Sequence, residues 1–396
     1  MIRIEDKTQC CGCSACVAAC PHNCISIIED SEGFYYPLVD ETKCVDCGLC
    51  EKKCPIKNKG QVTVHKLDGY VIQNKDTAIL QESTSGGAFT AFAECIIKQR
   101  GVVVGAALNE LLVVEHIIVD TVDELYKFRN SKYVQSYISP NIFPRIKELL
   151  KAGTPVCFSG TACQIEGLKS YLGNIATENL LCIDVVCRAV PSPLIYKKYL
   201  EYQSKKYHTA VTGVRFRDKH YGYRFPSVNL SFSNKKRKYH RGIESDPWLR
   251  AFFTGICNRP SCHKCEFKEI YRKSDITLWD CFDYEYNYPS MVSNMGATNI
   301  LIHTDKGRDI FNKVAQSFVV EPVSTDIQLS KIKEMTTSTE MHLSRAAFFE
   351  DAQTLDGYDL FNKYFPIGLR QRVLYYGRLL SLKMGVYKFL KRIVRK

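Results

Sequence analysis

Ten of the 19 cysteines fall between Cys10 and Cys54, and eight of them write one pattern twice. Cys10, Cys13, Cys16 and Cys20 stand at C-x2-C-x2-C-x3-C with Pro21 next. Cys44, Cys47, Cys50 and Cys54 repeat the run 34 residues later, with Pro55 next. Three thiolates at this spacing wrap one face of an iron–sulfur cubane, and the cysteine before proline crosses to the other cluster. On that rule one [4Fe–4S] cluster takes Cys10, Cys13, Cys16 and Cys54, and the second takes Cys44, Cys47, Cys50 and Cys20. Zinc prefers paired C-x2-C arms well separated in sequence, so the triple run closed by Cys-Pro favours cubanes. Cys11 and Cys24 are left over and read as small apolar residues. Clusters pass electrons singly, so the remaining chain is expected to hold a second redox cofactor or a docking surface.

The elements that position these cysteines follow from composition and periodicity. In 396 residues, 45% hydrophobic and 24% charged is globular composition, which excludes a disordered or collagen-like chain. No apolar run reaches the 18 or so residues of a membrane span, and MIRIEDKTQ has no signal-like apolar core. The expectation is therefore a cytoplasmic chain, with cysteines for metal and not for disulfides. Residues 1–60 read as a bacterial two-cluster ferredoxin domain. Beyond it, 68–73, 101–108, 155–159 and 180–186 read as apolar strands, and 87–100 and 141–152 as helices. Residues 212–241 alternate apolar side chains with Arg, Asn and Ser, which predicts antiparallel strands with one wet face. The fold class is α+β or mixed α/β, with the ferredoxin fold followed by a larger domain.

Single residues in the body read less sharply. Ser83, Thr84, Ser85, Gly86 and Gly87 precede a helix, where they either cap it or present N–H groups to a phosphate. Gly160 and Thr161 follow an apolar strand and open another helix. Cys262 and Cys265 form a C-x2-C arm, whereas Cys163 and Cys187 each stand alone after a strand, the usual place of a buried free thiol. Cys257 is a substitute candidate, and Cys95, Cys157, Cys182 and Cys281 read as core. No metalloprotease, Walker or nucleophile-elbow motif is present.

The segments ESTSGGAFTAF (82–92), NSKYVQS (130–136), FSGTACQIEGLKSYLG (158–173), CIDVVCRAVPSPLIYKKYL (182–200), NRPSCHKCEF (258–267) and SDITLWD (274–280) run in one order. In these the chain resembles the coenzyme F420 hydrogenase/dehydrogenase beta-subunit family, in the form with an N-terminal two-cluster ferredoxin domain. The resemblance implies a flavin- and iron–sulfur-binding domain over 61–350, with a flavin, FAD ahead of FMN. It implies a third [4Fe–4S] cluster on Cys163, Cys187, Cys262 and Cys265. It implies cofactor contacts from the 83–87 loop, Lys132, Tyr133, Gln135, Ser136, Gly160 and Thr161, with Lys132 bringing positive charge to a ring edge or phosphate. The activity implied is an oxidoreductase fed by ferredoxin or another redox partner and acting on an unidentified small molecule. The alternative is an electron-transfer subunit without a substrate site, serving a partner enzyme. Bacterial members with this domain order look like parts of surface-polysaccharide systems. Three positions depart from the family: Ala162, Arg188-Ala189 and Trp279. Arg188 would favour an anion and Trp279 could stack on a planar ring.

Formal charge is +12, but residues 366–396 hold nine Lys/Arg and no Asp/Glu, which leaves the body at +3. That balance gives no case for nucleic acid, and the basic run 234–241 reads as a solvated turn. In the tail, Leu369, Val373, Leu380, Val386, Leu390 and Ile393 share one apolar helical face, flanked by Arg372, Arg378, Lys388 and Lys391. The pattern fits contact with the inner face of a membrane or a helix docked on the body, with Gly377 and Gly385 weakening a long helix.

Overall fold

The computed structural model describes residues 1–387. In the N-terminal part, two cysteine loops end in short helices, α1 (Ala15–Ala18) and α2 (Leu49–Lys52). Between them β1 (Ile25–Glu29) pairs antiparallel with β2 (Tyr35–Val39). The sequence repeat is also a backbone repeat. Gly12 and Ser14 have φ of +71° and +63°, and Asp46 and Gly48, at the equivalent positions, +50° and +71°. Left-handed residues interrupting a right-handed turn aim successive N–H groups into one concavity, which suits the sulfurs of an anionic cluster.

The body has further strands. β3 (Asp68–Asn74), β4 (Val102–Leu108), β5 (Val114–Val119), β6 (Val156–Thr161) and β7 (Leu180–Val185) come first. β8 (Val211–Asp218), β9 (Ser227–Phe232) and β10 (Tyr239–Arg241) follow, then β11 (Ile276–Asp280), β12 (Thr298–Ile302) and β13 (Phe318–Pro322). Eight of these form a mixed sheet in the order β13-β3-β12-β11-β7-β6-β4-β5, with β4, β6, β7 and β11 parallel. The helices in chain order are α3 (Thr77–Glu82), α4 (Ala88–Lys98), α5 (Ile142–Lys151), α6 (Ala162–Leu172), α7 (Pro193–Tyr207), α8 (Pro247–Thr254) and α9 (Tyr284–Asn287). They continue with α10 (Asp305–Val314), α11 (Thr325–Ser330), α12 (Arg345–Thr354), α13 (Gly357–Tyr364) and α14 (Leu369–Lys383).

Strand alternation divides the core. Val103, Cys157, Leu181 and Ile183 meet α4 and α10, whereas Val104, Phe158, Leu180 and Cys182 meet α5 and α6. Burial on both faces is why these strands read as continuous apolar runs. A third, aromatic core packs α7, α8, α12 and α13 on the antiparallel sheet β10-β9-β8.

The ferredoxin part is anchored to that body. Phe34 and Tyr36 enter the aromatic core. The half-buried Glu32 accepts two hydrogen bonds from the Arg345 guanidinium, and Ser31 O accepts from Gln353 Nε2. The wet face expected on β8 differs from the structure. Arg217 is mostly covered and Lys219, just beyond the strand, is buried. Lys219 turns onto the segment that precedes α4, and Arg217 onto Asp280. Among the described residues no helix is long and apolar enough to cross a membrane.

Candidate iron–sulfur and cofactor sites

The structure gathers the eight N-terminal cysteines into two groups. Cys10, Cys13, Cys16 and Cys54, with Cys11, line one pocket. Cys44, Cys47, Cys50 and Cys20, with Cys24, line a second. The fourth cysteine of each run thus sits with the other run's triplet. Among the described residues no three His, Cys, Asp or Glu side chains converge on a single ion. A cubane asks for a wider cage, because iron and sulfide stand between its thiolates. The N–H of Ile2 donates to Cys50 Sγ at 3.3 Å. The leftover cysteines pack in apolar surroundings, Cys24 with Val17 and Ile25 and Cys11 against the α5–α6 core; Cys24 Sγ also lies 3.3 Å from Cys20 Sγ, and Cys11 neighbours Cys13 and Cys163.

One buried cation tests whether an anionic group fits the first cavity. Arg259, 1% exposed, donates from Nε to Cys10 O at 2.8 Å and from Nη2 to Tyr35 O at 3.1 Å, with Cys10 Sγ 3.5 Å away. Nη1 donates to Gln135 Oε1, and the guanidinium lies over the Tyr36 ring at 4.1 Å. Among the described residues no carboxylate pairs with it. A buried charge without a counter-ion costs several kcal/mol. Thiolates of Cys10, Cys11 and Cys262 are the negative groups that would hold it charged. The donor set and the cation together fit a resident anionic cluster.

The third cysteine group is made by the sheet. Thr161 at the end of β6 is paired with Val185 at the end of β7. Cys163 and Cys187 each follow two residues later, so they leave the sheet side by side. The carboxyl edge of parallel strands is where open α/β sheets bind ligands. The turn Pro260–Lys264 and the residue after it bring Cys262 and Cys265 to the same place, and Cys262 neighbours Cys187, Cys265 and Cys163. Val190 N–H donates to Cys262 Sγ at 3.3 Å. Burial pushes the Cys187 thiol up to about 12 and raises Cys262 and Cys265 as well. Metal loading therefore has to displace these protons. Cys257 lies elsewhere, in the aromatic core with Trp248; Cys157, Cys182 and Cys281 are core residues, and Cys95 is half-buried on α4.

The residues expected at the flavin divide between two neighbourhoods, and the stretch of chain 130–136 runs between them. At one end, Thr84 Oγ1 and Ser131 Oγ are 3.0 Å apart, and Gly86 N–H donates to Thr298 Oγ1. A Cβ on Gly86 would meet Ile72 O at 2.5 Å, so the loop lies flat on the sheet only as glycine. Ser83 is buried, Ser85 Oγ donates to Ala297 O, and Gly87 caps α4 with a left-handed φ. Lys132 Nζ donates to the carbonyls of Lys127 and Arg129. Burial, with Arg215 nearby, pushes it down to about 7. At the other end, Gln135 accepts from Tyr35 N and Arg259, and Ser136 accepts from Gln164. Gly160 and Thr161 lie beside Gln164, and Thr161 Oγ1 is 3.1 Å from Cys163 Sγ. Tyr133, in the middle, stacks on Phe252 with centroids 4.5 Å apart.

Sequence reading missed the cations of β8. Lys219 Nζ donates to the carbonyls of Leu80, Ser85 and Met295, Arg215 donates to Glu82 O, and Arg217 pairs with Asp280. With Lys132 they stand around the 83–87 loop, where burial pushes both lysines down to about 7 and Asp218 and Asp280 pair with Arg215 and Arg217. The only local signal was Val214 and Phe216 alternating with Arg, which any half-wet strand shows. Two of the family departures have partners within the chain. Arg188 is matched by Glu334, and Trp279 packs among Leu301, Ile332 and Met335.

Gly167 on α6 is where the two halves come into tight contact. A Cβ there would lie 2.6 Å from Cys13 Cβ and 2.8 Å from its Sγ. Gly167→Val should push the first cysteine loop off α6, at a cost of about 1–3 kcal/mol for overpacking. Iron analysis should show a shortfall of about four per chain, one cubane's share. Full iron and an unchanged melting temperature would show that the contact is loose.

Two family models match segments of the chain. Residues 9–58 match the model of the 4Fe-4S dicluster domain, and residues 153–326 match that of the C terminus of the coenzyme F420 hydrogenase/dehydrogenase beta subunit. Among solved structures, a chain of the F420-reducing [NiFe] hydrogenase complex from Methanosarcina barkeri is 14% identical. That match covers 77% of this chain and 91% of that one, with a TM-score of 0.44. No curated protein matches. The first matched segment holds all eight N-terminal cysteines and the second holds Cys163, Cys187, Cys262 and Cys265; the chain thus joins a 4Fe-4S dicluster domain to a segment that matches the C terminus of the coenzyme F420 hydrogenase/dehydrogenase beta subunit.

Proposed function

We propose that this protein is an iron–sulfur flavoprotein oxidoreductase that moves electrons between its cysteine-held clusters and a flavin, for a small-molecule substrate. The observation that carries the reading is the succession of three cysteine groups, two in the ferredoxin cavities and one at the carboxyl edge of β6 and β7. Cys11 touches both Cys13 and Cys163, so the first and third groups adjoin. In this reading residues 1–60 are the electron-entry domain, facing ferredoxin or another redox protein, and 61–350 hold the third cluster and the flavin. Clusters carry single electrons, and a bound flavin pairs two of them.

The chain's own residues supply position and charge. The 83–87 loop offers hydroxyls and a helix start suited to the phosphates of FAD, with Lys132 and Lys219 beside it and Arg215 and Arg217 held by Asp218 and Asp280. Gln135 and Arg259 tie the same 130–136 segment to the first cluster loop.

Anaerobically purified protein should contain about twelve irons, as three cubanes, and one heat-released flavin per chain. Eight irons without flavin would leave a ferredoxin domain on a scaffold and overturn the reading. Three cubanes with a flavin that turns over no small molecule, but reduces a co-purifying enzyme, would favour the electron-transfer role without a substrate site.

A further inference from the structure

The C-terminal helix is docked on Phe225 and Tyr221 through Tyr375, Leu379 and Leu382, with Arg378 beside them. Tyr375 is buried, its hydroxyl donating to His240 O at 3.0 Å and lying 3.0 Å from Tyr221 Oη. Arg378 pairs with the buried Glu244 and lies 4.1 Å over the Phe225 ring, and Arg241 covers the Tyr375 ring at the same distance. The opposite side is apolar and open. Leu369, Val373, Tyr376, Leu380 and Met384, spaced four, three, four and four residues apart, are each at least 59% exposed. That spacing keeps them on one face along about 22 Å of helix. Arg370 and Arg372 at one end and Lys383 at the other are exposed beside the stripe. Among the described residues none of the three is in an ion pair.

We propose that this face of α14 lies on an anionic lipid surface, with the stripe in the headgroup boundary and the cations against the lipid charge. Charge complementarity selects the occupant. Residues 366–396 hold nine cations and no anion, so a second copy of the same face would bring like charges together. An interfacial helix has the opposite requirement: a contiguous apolar stripe, basic flanks and low overall hydrophobicity. Of the other expected face residues, Val386 lies past the end of α14, beyond Gly385 with its left-handed φ, and Leu390 and Ile393, with the flanking Lys388 and Lys391, lie outside the described residues. The proposal is independent of the redox reading.

The test is co-sedimentation of the full chain with vesicles of phosphatidylcholine, and of phosphatidylcholine with phosphatidylglycerol. Binding to the anionic vesicles should be at least about tenfold tighter and should weaken as salt rises. Val373→Asp with Leu380→Asp should lower it at least about tenfold again, since each puts a charge into the apolar boundary. Both side chains are exposed, so iron content should be unchanged in the variant. Equal binding by wild type and variant, or no binding to anionic vesicles, overturns the proposal. A concentration-dependent dimer abolished by the same substitutions would overturn it too, by assigning the face to a second copy. Binding only to an acidic protein, with none to vesicles, would overturn it in favour of a protein partner.

Discussion

Arg259→Met should lower the reduction midpoint of the cluster held by Cys10, Cys13, Cys16 and Cys54 by on the order of 100 mV. The guanidinium is buried, and its carbonyl, ring and thiol partners include no carboxylate. A reduced cluster carries one more negative charge than an oxidised one, so a fixed cation beside it favours reduction. A unit charge about 6 Å away at an effective dielectric of about 20 is worth roughly 3 kcal/mol. For one electron, about 59 mV corresponds to about 1.4 kcal/mol, which gives the shift its size. Removing the charge makes the midpoint more negative. Arg259→Lys keeps the charge without the fork of hydrogen bonds and should recover most of the potential. Redox titration followed by electron paramagnetic resonance is the measurement. An unchanged midpoint in an iron-replete Arg259→Met protein would sink the idea, and loss of iron in Met but not Lys would still point to the charge.

Cys262→Ser should remove about four of about twelve irons, because a cubane missing a thiolate is rarely retained. Cys262 is chosen because it adjoins the other three members of its group and accepts the Val190 N–H. Cys257→Ser is the matched control. It is five residues away in sequence, buried, and surrounded by the aromatic core. Its hydroxyl variant should cost stability while leaving iron and acid-labile sulfide unchanged. Iron unaffected by Cys262→Ser would end the third-cluster assignment. Iron lost in Cys257→Ser would move the ligand set.

Much of the architecture was legible in the amino-acid sequence. The strands 101–108 and 180–186 read as unbroken apolar runs because a parallel sheet buries both faces, and β4 and β7 stand within a residue of those limits. The helix expected over 141–152 is α5, its buried Phe143, Ile146 and Leu150 recurring every three to four residues. The repeated Cys-x2-Cys spacing reappears as equivalent left-handed residues in each loop, because so short a spacing permits few backbone paths.

The tail was legible as an amphipathic pattern, yet the periodicity alone could not say which side docks. A stripe of Leu, Val and Tyr has the same spacing whether it meets a core or faces outward. Here Tyr375, Arg378 and Tyr387 form the docked side because Phe225, Tyr221 and Glu244 of the body offer rings and a carboxylate.

The sequence by itself determined the local chemistry: eight thiols at cluster spacing, the apolar strands and the cationic tail. Those depend on neighbours within a few residues, where spacing and side-chain type decide the outcome. Only the tertiary structure decided what meets across long separations. It set Arg259 on Cys10, joined Cys163 to Cys11, covered Trp279, and turned the cations of β8 from solvent to the 83–87 loop. A buried cation or a lone cysteine has no periodicity to announce it. Its role is set by the charge and packing of elements brought close by strand order and register, which the chain encodes in its whole core and in no single motif.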